Sequence, residues 1–110
     1  MAWKIEFYSD KVEAAILGWP KGILAKYLWI SDAMQKVGPE DLGMPHIKPL
    51  GRGLFEIRAK GKEGIGRAFF CIVKGKLVIV LHEIIKKEQK TPPDEIKLAR
   101  QRVAEVKKYG

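Results

Sequence analysis

The sequence predicts an α+β domain with a twisted antiparallel sheet of about four strands, two N-terminal helices and one C-terminal helix. Two observations carry that prediction. Between residues 54 and 85, apolar-rich runs are separated by Gly61, Gly64 and Gly75, the pattern of strands joined by tight turns. On either side of this block, apolar residues recur at helical spacing instead. A chain of 110 residues suffices for one core, so residues 1–110 read as a single domain.

Each element has its own local reason. Trp3, Ile5 and Phe7 alternate with Lys4, Glu6 and Tyr8, as in a half-buried strand. Ser9 or Asp10 then caps a short helix running to about Leu17, and Gly18-Trp19-Pro20 breaks it. A second helix covers roughly Lys21 to Val37. Its stripe is Ile23, Leu24, Tyr27, Leu28, Met34 and Val37, and Gly38-Pro39 ends it.

Residues 39–53 read as a loop, rich in proline and glycine. Strands follow at about Leu54–Lys60, Gly66–Val73 and Leu77–Ile85. The last carries an almost unbroken apolar run, which suggests burial on both faces and a central place in the sheet. Thr91-Pro92-Pro93-Asp94-Glu95 opens the final helix, with Thr91 as cap and the two acids complementing the helix dipole. Ile96, Ala99, Val103 and Val106 form its inward stripe.

Composition narrows the function. There are 21 Lys+Arg against 13 Asp+Glu, a formal net charge of +8. A surface of that sign favours polyanions: RNA, DNA, anionic lipid or an acidic protein partner, with no lipidation motif or interfacial amphipathic segment to support lipid. The longest apolar run, Leu77–Leu81, is far too short for a bilayer, and the N-terminus lacks the apolar core of an export signal. The expectation is a cytoplasmic protein with no membrane partner. The single cysteine, Cys71, cannot form an internal disulfide and reads as a buried mid-strand residue. With two histidines and one cysteine far apart in sequence, no metal-ligand spacing is present, and no cofactor is expected.

The candidate site follows from strand parity. Phe55, Ile57 and Ala59 fall on one face of their strand, and Glu56, Arg58 and Lys60 on the other. Arg67 opens the next strand, across the hairpin from the end of the first. His82, then Lys86 and Lys87, come from the third. Cations fixed at neighbouring strand ends can hold a phosphate and stabilise charge that grows on it during a reaction. His82 has the ordinary pKa for acid–base work. The same residues also suit a solvated sheet face, with His82 packed as the end of an apolar run. Lys90 extends the basic run as a backbone contact or a solvated turn. His46 reads as a surface residue of the loop. Trp3, Trp19 and Trp29 read as packing residues rather than base-stacking platforms.

Between Lys48 and about Arg102 the segments GLFEIR, GRAFF, VLHEIIKKEQKTP and PDEIKLAR occur in that order. Together they resemble the HigB-like, phage-derived branch of the RelE/ParE toxin superfamily. The resemblance implies a RelE-like fold and a toxin of a type II toxin–antitoxin module, partnered by an antitoxin, usually of helix-turn-helix type. It implies metal-independent cleavage of mRNA, in association with the ribosome, by attack of the ribose 2′-hydroxyl on the adjacent phosphate. By position, Arg58, Arg67, His82 and Lys86 are the implied catalytic residues, with Lys60, Lys87 and Lys90 as RNA contacts. Glu56 is implied to orient an arginine. Tyr109 alone occupies the C-terminal region where the family often carries a tyrosine or histidine acid. A ParE-like, topoisomerase-inhibiting toxin and a non-catalytic basic RNA-binding domain are the alternatives.

Overall fold

The computed structural model describes residues 2–88 and 90–109, the last without its side chain. The elements in chain order are β1 (Lys4–Phe7), α1 (Asp10–Leu17), α2 (Lys21–Val37), α3 (Pro39–Leu42), β2 (Ile47–Gly51), β3 (Leu54–Gly61), β4 (Gly64–Val73), β5 (Leu77–Lys86) and α4 (Pro93–Tyr109). The architecture is α+β. Its five strands lie in the order β1-β5-β4-β3-β2, with β1 parallel to β5 and the other pairs antiparallel.

The sheet is covered on both faces. α1 and α2 bury Val12, Ile16, Ile23, Tyr27, Ile30 and Met34 against Ile57, Ala59, Ala68, Phe70, Val78 and Val80. α4 sets Ala99 and Val103 over Leu54, Phe69, Cys71, Leu81 and Ile84 on the opposite face. The first layer packs so closely that a Cβ on Gly66 would lie 2.6 Å from both Ile23 and Trp19 side-chain atoms. Glycine at 66 is what lets α2 and Trp19 touch the backbone of β4.

The structure changes the expected layout in several places. The stretch 39–53 holds a short helix and an edge strand. β2 contains Pro49, a residue tolerated at a sheet edge because its missing N–H faces away from the ladder. Among the described residues the sheet has five strands rather than four, and the helices number four. The sheet is not purely antiparallel, because β1 docks alongside β5 in parallel. β5 is interior, but the middle strand is β4. On α2 the buried stripe is Ile23, Tyr27, Ile30 and Met34, while Leu28 and Val37 are exposed. Ser9 rather than Asp10 caps α1, accepting from the Val12 N–H at 3.2 Å. Thr91 does not cap α4. Pro92 O accepts from Glu95 N instead, and the Thr91 hydroxyl turns inward.

One irregularity decides where the polar residues of β5 point. Phe70 pairs with Val80, yet Phe69 pairs with His82, so Leu81 is an extra residue. Val78 and Val80 therefore face α1 and α2, whereas Leu81 and His82 both turn toward α4. Arg102 of α4 donates to the carbonyl of this extra residue, Leu81, at 2.7 Å. Its guanidinium also lies 4.5 Å from the Tyr8 ring centroid.

Candidate functional site

The antiparallel register of β3 and β4 pairs Arg58 directly with Arg67. Two like charges facing each other across a sheet repel, and the structure answers with an acid. Glu56, one pleat along the same face, is fully buried. Its Oε1 accepts from Arg58 Nε at 2.7 Å and lies 3.3 Å from Arg67 Nε, and its Oε2 accepts from the Thr91 hydroxyl at 3.0 Å. Glu56 thus orients both arginines.

Arg67 is itself completely buried, and its Nη2 donates to the Glu88 carbonyl. Nη1 is buried with no hydrogen-bond partner among the described residues. Burial pushes the Arg67 pKa below its ordinary value, with Glu56 acting in the opposite direction. This guanidinium lies beneath the surface and holds the segment after β5 against the sheet.

Other cations, partly or fully exposed, lie around it. β2 stops pairing at Ile47↔Ile57, so the edge of β3 is open beyond that point, apart from the Arg58 N–H donating to His46 O at 2.9 Å. There a cleft of about 440 Å³ is lined by Lys26, Pro45, His46, Arg58, Lys60 and Ile65. A neighbouring cleft of about 300 Å³ shares Lys60 and Ile65 and adds Lys62 and Lys87. Register puts Lys60, Ile65 and Lys86 in one row across the sheet. The result is a continuous basic surface, and no carboxylate lines either cleft among the described residues.

The expected site residues therefore divide. Arg58, Lys60 and Lys87 share this surface. Lys86 ends β5 on the same face, and Lys90 is exposed in the segment that follows. His82 is not among the groups lining these clefts. It stacks on Phe69 at 5.8 Å, its Nε2 is 2.7 Å from Glu95 Oε1, and it borders a third cleft with Ser9, Lys11, Glu83 and Arg102. Glu95 is thus a hydrogen-bond partner of His82 as well as a first-turn acid. The Tyr109 side chain lies outside the described residues.

Two residues at this surface were passed over in the sequence. His46 lines the larger cleft, and burial together with the Lys26 cation lowers its pKa. Trp29 is not core: it is 54% exposed, with its ring 5.2 Å from His46 and 4.6 Å from Lys26 Nζ. The spacing of Lys26 and Trp29, three apart on one helix, could have flagged the pair. Nothing local tied either residue to His46.

Residues 14–104 match the family model described as phage derived protein Gp49-like. The chain belongs to the Gp49-like family. That is a RelE-like toxin family, so the α+β fold and the basic surface belong to a toxin-like protein. No curated protein matches this Gp49-like chain. Among its described residues no helix is long and apolar enough to cross a membrane. Nor do three His, Cys, Asp or Glu side chains among them come together as metal ligands.

Proposed function

We propose that this Gp49-like protein is the toxin of a toxin–antitoxin module and acts as a metal-independent mRNA endoribonuclease working with the ribosome. The observation that carries the reading is the larger cleft, where Arg58, Lys60, Lys26 and His46 surround one space without an acid among its described lining. An RNA phosphate held there meets cations on a rigid sheet edge, which stabilise the charge that grows on its oxygens. His46, held toward its neutral form, accepts the proton of the ribose 2′-hydroxyl as that oxygen attacks the phosphorus. The P–O5′ bond breaks, and the 5′-oxygen takes a proton from a lysine ammonium of the cleft. The products are a 2′,3′-cyclic phosphate and a 5′-hydroxyl. Arg67 and Glu56 are positioning residues that fix Arg58. Lys86, Lys87 and Lys90 extend the track for the RNA backbone. The inhibitory partner is an antitoxin that covers this surface, and a helix-turn-helix protein is the expected type.

Inducible expression with mapping of RNA 5′ ends tests the reading. Growth arrest and new 5′-hydroxyl ends within messages are expected, and Arg58→Ala should slow cleavage by roughly 100- to 1000-fold. Intact transcripts in cells that contain soluble protein refute it. One observation favours a non-catalytic RNA-binding domain instead: His82, the histidine of the family-like motif, is engaged with Glu95 away from the cleft. That alternative predicts salt-sensitive RNA binding with no scission.

A further inference from the structure

The arginine and lysines of the larger cleft account for a phosphate but not for the exposed tryptophan beside them. Trp29 stands on the solvent side of α2, and 54% of it is open to water. What an indole this exposed can bind is set by its surroundings. Here the neighbours are cationic and aromatic: Lys26 Nζ lies 4.6 Å from the ring centroid, and the His46 ring lies 5.2 Å away at 64°. Both neighbours also line the cleft that holds Arg58 and Lys60. The site therefore offers an aromatic platform at the rim and a basic floor at the edge of β3.

We infer that Trp29 and the adjoining cleft form a subsite for single-stranded RNA, with a base stacked on the indole and its phosphate directed to Arg58 and Lys60. The inference rests on the ribonuclease reading for its ligand. Three features point to this ligand class. A volume of about 440 Å³ lies in the range of small-ligand pockets and accommodates one nucleotide. A π-face beside a cationic groove is how strands without regular pairing are held. Stacking needs an unpaired base, so a duplex cannot use the platform. The Lys26 ammonium, resting on the indole in the free protein, is released to a phosphate when a base takes its place. An apolar protein partner fits less well, because the ring is flanked by positive charge rather than by a continuous apolar field.

The test uses the full-length protein and a short, labelled 2′-O-methyl oligoribonucleotide, which cannot be cleaved by 2′-hydroxyl attack. Binding should quench Trp29 fluorescence. Trp29→Ala should weaken single-strand binding by roughly 5- to 150-fold, the range for losing one stacked base. Trp29→Phe should keep most of the affinity, and a duplex of the same sequence should bind wild type and Trp29→Ala alike. Lys60→Ala should lower the slope of log K against log salt by about 0.7, whichever residue occupies position 29.

If Trp29→Ala binds the single strand as wild type does while induced cells still show new 5′ ends, the subsite is wrong and the nuclease reading stands. If wild-type protein neither binds the oligonucleotide nor changes cellular RNA, both fall. If Trp29→Ala binds RNA normally but no longer retains its antitoxin, the tryptophan belongs to a protein interface and the inference is overturned.

Discussion

Replacing Glu56 by alanine is the sharpest probe of how the sheet carries its charge. The residue is fully buried and serves three groups: Arg58 Nε at 2.7 Å, Thr91 Oγ1 at 3.0 Å and Arg67 Nε at 3.3 Å. Arg58 is one-fifth exposed at its side chain and can turn to water once released. Arg67 cannot, because its side chain has no exposure at all. The variant therefore leaves one buried guanidinium without its counter-charge, which costs about 3–5 kcal/mol. Against a typical domain stability of roughly 5–15 kcal/mol, that is a large fraction. With a urea m-value of about 2 kcal/mol per molar, the unfolding midpoint should fall by roughly 2 M. Equilibrium urea unfolding followed by circular dichroism measures it. The double variant Glu56→Leu with Arg67→Met removes both buried charges and should recover most of the loss. A midpoint for Glu56→Ala within about 0.5 M of wild type would refute the reasoning, as would a double variant no better than the single one.

Other outcomes follow from the same geometry. Arg102→Met should destabilise the fold by about 1–3 kcal/mol in urea titration, because it removes a charge-assisted hydrogen bond to the Leu81 carbonyl of the β5 bulge. Gly66→Ala should cost about 1–3 kcal/mol by forcing α2 and Trp19 away from β4, measured the same way. His46 has a folded pKa below its ordinary value, through burial first and the Lys26 cation second. The unfolded chain then binds more protons in the window just below pH 6.5, so this histidine's contribution is complete above that pH and is lost as pH falls through the folded value. His46→Asn should accordingly show a smaller drop in urea midpoint than wild type between about pH 7.5 and 5.5.

The sequence by itself determined the strand and helix periods, the parity of β3 and the sign of the surface. Those properties are local. Alternation sets Phe55, Ile57 and Ala59 against Glu56, Arg58 and Lys60 whatever the strand pairs with, and the bounds of α2 follow from Pro20 and Gly38. The segments from Lys48 onward also carried the family resemblance, and the Gp49-like match covers that stretch. Tertiary structure alone decided which cations meet. A single extra residue at Leu81 inverts the facing of everything after it in β5, and no periodicity in an apolar run marks where such an insertion falls. Arg67 became a buried support because the segment after β5 folds over it, a contact 21 residues distant in the chain. His46 joined the basic cleft, with Trp29 beside it, because the short β2 leaves the edge of β3 open where α2 passes. Those encounters depend on the lengths of the edge strands and the docking of helices, and long-range packing fixes both.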